Sequence, residues 1–141
     1  MTTILETNLP DLLYRGKVRD TYDMGDKLLM VATDRISAFD VVLPNGIPGK
    51  GRILSLLSVF WFGKTAHLVP NHFIAMAGDR AALGTIANNP PVTGLSDDIA
   101  QRAMVVRKAR RIDVECIVRG YITGSAWSEY KRSGTVGDMP M

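Results

Sequence analysis

Apolar residues along this chain switch between two periods. From Leu12 to Thr33 they come in short β-rich runs: Leu12-Leu13-Tyr14, Val18 to Tyr22, and Lys27 to Thr33 with Leu28, Leu29, Met30 and Val31. Arg15-Gly16-Lys17 and Asp23-Met24-Gly25-Asp26 separate them. Short runs punctuated by glycine turns predict three strands in an antiparallel meander, an arrangement that can leave one face open to a ligand. From Arg52 to His67 the period becomes helical, and Ile53, Leu56, Leu57, Phe60 and Trp61 share one broad face, so a helix with that stripe in the core is expected. A short strand is expected within Val69 to Met76. Ala77 to Ser96, with Gly78, Gly84, Pro90, Pro91 and Gly94, reads mainly as loop with a turn of helix in Asp79 to Ala87. Ala103 to Lys108 returns to strand pattern, and Ala109 to Asp113 turns. A second β-rich run starts at Val114 and holds Ile117, Val118, Tyr121 and Ile122. It gives way to a short helix over Ala126 to Arg132, which Gly134 stops. No terminating element is visible from Val136 to Met141. The fold class is α+β: an antiparallel sheet with one main helix packed on it.

Composition narrows the class. The 141 residues are one domain's worth, with no internal repeat or linker, so 1–141 is read as a single domain. Hydrophobic residues at 46% and charged ones at 22% argue against disorder. A net charge of +3 suits anionic small molecules without demanding nucleic acid. The basic cluster Arg102, Arg107, Lys108, Arg110 and Arg111 has no aromatic platform interleaved, so a solvated face is its default explanation. The single cysteine, Cys116, excludes an internal disulfide, fits a reducing compartment and reads as a buried strand residue. His67 and His72 with one cysteine give no zinc spacing. Met1 to Pro10 lacks a basic start and an apolar core, and Ile53 to Phe62 is too short to span a bilayer. The expectation is a cytoplasmic protein without membrane contact.

Candidate chemistry concentrates in three places. Arg119, Gly120, Gly124 and Ser125 put a planar cation, two side-chain-free positions and a helix start close together, which reads as an anion-binding corner. Taken singly, an edge arginine and a capping serine are the better explanations; their combination within seven residues favours the site. The Arg15-Gly16-Lys17 turn offers backbone N–H groups and a compact positive charge to a phosphate, although a solvated hairpin turn has the same residues. Asp34 to Asp40 sets two carboxylates, Arg35 and Ser37 at the end of a strand, suited to recognition or to an Asx-type turn. Gly46-Ile47-Pro48-Gly49-Lys50-Gly51 fails the Walker spacing and reads as a rigid loop, with Lys50 a further phosphate candidate.

Val118-Arg119-Gly120-Tyr121-Ile122-Thr123-Gly124-Ser125-Ala126, Arg15-Gly16-Lys17-Val18-Arg19-Asp20 and Ala32-Thr33-Asp34-Arg35-Ile36-Ser37-Ala38-Phe39-Asp40 together resemble the phosphoribosylaminoimidazole-succinocarboxamide synthase (SAICAR synthetase) family, in that family's order. The resemblance implies the ATP-binding amino-terminal half of such an enzyme, with a kinase-like nucleotide architecture. It implies a ligase of purine biosynthesis that joins L-aspartate to carboxyaminoimidazole ribonucleotide (CAIR) using ATP and Mg2+. It assigns Arg15, Gly16, Lys17, Val18 and Lys108 to ATP, and Asp34, Ser37, Asp40, Arg119, Gly120 and Ser125 to substrate. Lys17 and Arg119 take the catalytic roles. The family's metal-binding acids lie in a carboxyl-terminal half, so no metal ligand is assigned here. The 141 residues alone are expected to be inactive and to self-associate through the face that half would cover. Two other readings remain: a kinase-like phosphotransferase, for which no His-Arg-Asp or Asp-Phe-Gly is present, and a non-enzymatic anion- or RNA-binding module.

Overall fold

The computed structural model describes residues 2–114 and 118–141. Where length gives one domain, the chain forms two compact units, Met1–Ala109 and Arg110–Met141. The expected meander is present as β1 (Leu12–Arg15), β2 (Arg19–Asp23) and β3 (Lys27–Ala32). Next come a hairpin of β4 (Arg35–Ala38) and β5 (Val41–Gly46), then α1 (Lys50–Thr65), β6 (Phe73–Met76) and, after two short helices, β7 (Ala103–Arg107). β6 and β7 complete a five-stranded sheet of order β1-β2-β3-β7-β6, antiparallel throughout.

Strand alternation fixes the two faces of that sheet. Tyr22 pairs with Leu29, and Leu29 with Val105; with Val31 and Ala103 they form the core face. Leu83, Ala87 and Val92 close over it from the segment expected to be mainly loop, which holds α2 (Arg80–Leu83) and a 3-10 turn at Gly84–Asn88, followed by α3 (Asp97–Ala100). Asp79 caps α2 by accepting the Ala82 N–H over 3.0 Å.

Helix α1 forms where its period predicts, but it is rotated away from the expected packing. Ile53, Leu56, Leu57, Phe60 and Trp61 are 50–65% exposed. The buried positions are Gly51 and Ser55, on the side that packs against β3 and β7. A Cβ on Gly51 would collide with the Ala32 carbonyl, and Ser55 donates to the Arg102 carbonyl over 2.8 Å. Close approach of helix and sheet backbones therefore decides the orientation, and a small-residue face outcompetes the apolar stripe.

The second unit contains α4 (Gly124–Ser133), closed by Gly134 at φ 72° as expected. It then forms a small hairpin of β8 (Thr135–Val136) and β9 (Met139–Pro140), where no terminating element was anticipated. Its turn residues Gly137 and Asp138 both have positive φ, the geometry of a two-residue hairpin loop. The β-rich run is not a strand over Val118 to Thr123. The expectation for Cys116 lies outside the described residues. Among the described residues no helix is long and apolar enough to cross a membrane.

Candidate functional site

Alternation along β2 puts Asp20 on the same buried side as Tyr22, with its carboxylate fully enclosed. Oδ2 accepts the Thr7 N–H at 2.9 Å and the Thr7 hydroxyl at 2.8 Å, and Oδ1 accepts Nη2 of Arg35 at 2.7 Å. Burial alone pushes this carboxyl up, but the Arg35 and Thr7 donors outweigh it and hold the Asp20 pKa below its ordinary value. Arg35, itself 6% exposed, continues from Asp20 into the glycine turn. Nη2 also donates to the Gly16 carbonyl at 2.8 Å, Nε to the Lys17 carbonyl at 3.2 Å, and Nη1 to the Leu5 carbonyl.

On the opposite face, Thr21 and Met30 are paired across β2 and β3. With Tyr14, Gly16, Lys17, Val18 and Arg19 they line an open cleft of about 360 Å³. Gly16 stands in close approach there: a Cβ would lie 3.2 Å from the Tyr14 ring and 3.3 Å from the Arg19 carbonyl. Its own N–H donates to that carbonyl over 2.7 Å and so closes the turn, rather than facing an anion as the sequence suggested. Lys17 reaches across to the tip of the β4–β5 hairpin, where Nζ lies 2.5 Å from Oδ1 of Asp40. The hydrogen bond from Lys17, and then its charge, depress the exposed Asp40 carboxyl. Two assigned residues from separate sequence blocks thus meet beside one cleft. The hairpin tip itself, Phe39 and Asp40, carries positive φ at both positions without a glycine or asparagine.

Other assigned residues are placed differently. Arg15 points into the amino-terminal segment, bonding Glu6 at 3.2 Å and the Thr7 carbonyl at 2.9 Å, with Asp20 at 3.5 Å. Val18 lines the cleft while its carbonyl accepts both the Thr33 N–H and hydroxyl at 3.0 Å. Ser37 is exposed on β4 opposite Val42. Asp34 is fully buried and already occupied: Oδ1 accepts Nη1 of Arg102 at 2.7 Å and the Gly51 N–H at 2.9 Å, and Oδ2 the Ile4 N–H at 2.9 Å. In this structure Asp34 is enclosed and bonded to scaffold groups on both carboxylate oxygens. Lys50 is likewise engaged, with Nζ on the Arg35 carbonyl at 2.8 Å, and burial lowers its pKa. Lys108 sits at the far end of β2 from the glycine turn, with Nζ 2.8 Å from Asp23. Arg102 is the largest fully buried side chain, so it is not part of a solvated basic face.

Within the second unit, Arg119, Thr123 and the start of α4 are adjacent. Nη1 of Arg119 donates to Oγ1 of Thr123 over 3.2 Å, and Nη2 lies 3.9 Å from where a Gly124 Cβ would be. Ser125 occupies the first turn of the helix, and Gly120 stands in open space. The guanidinium therefore stands at a helix N-terminus, where backbone N–H groups and the helix dipole favour an anion.

Together these features define an α+β domain with a cation-bordered cleft on its antiparallel sheet, followed by a unit carrying a helix N-terminal arginine. Residues 12–139 match the SAICAR synthetase family. The chain is 48% identical over 135 residues to the phosphoribosylaminoimidazole-succinocarboxamide synthase of Thermodesulfovibrio yellowstonii, covering 94% of this chain and 44% of that protein. It is 53% identical over 132 residues to the same synthase of Elusimicrobium minutum, covering 93% and 43%. The structure of SAICAR synthase from Saccharomyces cerevisiae complexed with SAICAR superposes with a TM-score of 0.76 at 43% identity, over 100% of this chain and 47% of that one. This chain belongs to the SAICAR synthetase family. It spans somewhat under half the length of these relatives.

Proposed function

We propose that this chain supplies the ATP- and ribonucleotide-binding portion of a ligase that joins L-aspartate to CAIR, giving SAICAR, ADP and phosphate. The observation that carries this reading is a cleft lined by the glycine turn and Lys17, with Lys17 paired to Asp40 at the hairpin tip, within a chain of this family.

A carboxylate is a poor electrophile. ATP converts the CAIR carboxylate to an acyl phosphate and leaves as ADP; the amino group of aspartate then attacks the acyl carbon, loses a proton, and expels phosphate as the amide forms. Lys17 neutralises charge on the transferred phosphoryl group, a largely electrostatic contribution. Asp40 holds the Lys17 ammonium at the cleft edge until an anion competes for it. Arg119, with Ser125 and the amides of the α4 first turn, binds an anionic group of the ribonucleotide. Val18, Thr21 and Met30 offer a surface for the nucleoside, and the distance from the glycine turn to Lys108 along β2, four steps of about 3.3 Å, is comparable with the length of a nucleotide.

Magnesium accompanies ATP in such chemistry. Among the described residues no group of three or more His, Cys, Asp or Glu side chains is placed to hold a metal ion. No residue of this chain is assigned to magnesium, and no step is routed through it.

Calorimetric titration of ATP into the chain and into Lys17→Ala tests the cleft. Measurable binding weakened by the substitution is expected; equal affinity removes Lys17 from the site. In a full-length relative, aspartate- and CAIR-dependent ADP release should fall when the residue corresponding to Arg119 becomes alanine. Unchanged turnover would remove the arginine from the ribonucleotide site.

A further inference from the structure

We infer that Arg35 is a positioning residue that aims the peptide groups of the glycine turn at the nucleotide phosphates, an inference resting on the nucleotide reading of the cleft. The family resemblance assigned Arg35 no role, although it lies in the Asp34 to Asp40 segment read as suited to recognition. The structure places it beneath the turn rather than in the cleft, buried, and anchored by the enclosed carboxylate of Asp20. From that position one guanidinium accepts no substrate, but it fixes two consecutive carbonyls, those of Gly16 at 2.8 Å and Lys17 at 3.2 Å.

The consequence follows from peptide geometry. A trans peptide group is planar, and its N–H points opposite to its C=O. The only cis bond among the described residues is Pro90–Pro91, so both turn peptides are trans. Pulling the Gly16 and Lys17 carbonyls toward a buried cation therefore directs the N–H groups of Lys17 and Val18 away from it. Gly16, Lys17 and Val18 form the edge of the cleft, so that direction is toward the ligand side. Successive amides turned to one side make an anion-binding concavity. The Gly16 N–H closes the turn, so the two peptides whose orientation Arg35 sets are Gly16–Lys17 and Lys17–Val18.

A free turn would sample many orientations of these dipoles. A planar fork with donors at fixed angles selects one and holds it before ligand arrives, and such preorganisation is where electrostatic stabilisation gains most. A lysine at this position keeps a positive charge beside Asp20, but its single ammonium cannot bridge the carboxylate and both carbonyls in the same geometry.

The test compares ADP with adenosine, since only the former engages the turn through phosphate. Both are titrated into the chain and into Arg35→Lys and Arg35→Gln, with circular dichroism confirming the fold. Arg35→Lys should lower ADP affinity about tenfold while leaving adenosine affinity unchanged, the size expected from misdirecting one or two charge-assisted hydrogen bonds. Arg35→Gln should lose at least as much. If glutamine fails to fold against Asp20, the lysine variant carries the comparison alone. Unchanged ADP affinity in a folded variant overturns the assignment, and so does a parallel loss of ADP and adenosine, which marks general loosening. A parent chain that does not favour ADP over adenosine instead overturns the nucleotide reading beneath it.

Discussion

Arg102, at the foot of β7, donates to the Asp34 carboxylate over 2.7 Å across 68 residues of sequence, and the two side chains are 2% and 0% exposed. The same carboxylate takes N–H groups from Gly51 in α1 and from Ile4. One aspartate thereby joins the amino-terminal segment, the main helix and the central sheet. Replacing Arg102 with methionine fills similar volume but strands the carboxylate without its cation. We predict a loss of roughly 3–5 kcal/mol in urea unfolding. Arg52→Met, at an exposed position on α1, should stay within about 0.5 kcal/mol. Similar midpoints for the two variants would mean that the buried pair contributes little.

A pH dependence follows from the same chemistry. For both Asp20 and Asp34 burial opposes ionisation, but hydrogen bonds, from Arg35 and Thr7 in one case and Ile4, Gly51 and Arg102 in the other, prevail and lower the folded pKa. A depressed folded pKa means that the unfolded chain binds protons more readily in acid. Their stabilisation is fully present above the ordinary value of 3.8 and is lost as pH falls through the lower folded values. Unfolding free energy should therefore be flat with respect to these groups near neutrality and fall steeply below about pH 4. In Asp20→Asn, less stable at pH 7, the acid slope should be shallower. An unchanged slope would show that Asp20 does not drive acid unfolding.

The meander, the α1 and α4 boundaries to within a few residues, and the inner strand β7 were legible because period and glycine punctuation are local signals. What failed depended on distant partners. The α1 stripe was apolar enough for a core, but Gly51 and Ser55 allow a closer backbone approach that only the folded sheet reveals. The β4–β5 hairpin was missed because Phe39-Asp40 has no glycine or asparagine for its positive-φ turn and Pro44 weakens a strand reading. At the site, Lys17 and Asp40 were both assigned, but nothing local could bring them together. Asp34 and Arg102 were read as ligand contact and surface charge; their mutual burial is a relationship across the whole first unit. The paired charges at a strand end signalled importance at Asp34 to Asp40 without distinguishing scaffold from contact.

The same substitution at two places on α1 should have opposite effects. At Gly51 an added methyl meets the Ala32 carbonyl, which is backbone and cannot swing aside, with Arg102 Nη1 only 3.0 Å away. At Gly63 nothing lies within 4 Å. Gly51→Ala should destabilise by about 1–3 kcal/mol through overpacking. Gly63→Ala should stabilise by about 0.5–1 kcal/mol, since alanine loses less freedom in a helix. Thermal unfolding of the two single variants reads both signs at once. A stable Gly51→Ala would show that helix and sheet can separate without cost.

The outward face of α1 carries the final prediction. Ile53, Leu56, Leu57, Phe60 and Trp61 lie along one side of a single helix, with Phe60 and Trp61 in an edge-to-face contact 5.4 Å between ring centroids. Contiguous exposed apolar surface of this kind is unfavourable in water and marks an association surface. In the isolated chain, a second copy is the partner always present, so association should rise with concentration in sedimentation velocity. Leu57→Lys with Trp61→Glu should suppress it. Because both positions are about half exposed, the variant should keep the parent's circular dichroism and cooperative unfolding. The opposite charges were chosen to avoid raising net charge, which would reduce association by repulsion alone. Association that persists unchanged in this double variant would exclude the α1 face. A control at Leu12→Lys, on the exposed β1 edge, should associate like the parent; if it is the variant that turns monomeric, the sheet edge rather than the helix is the contact.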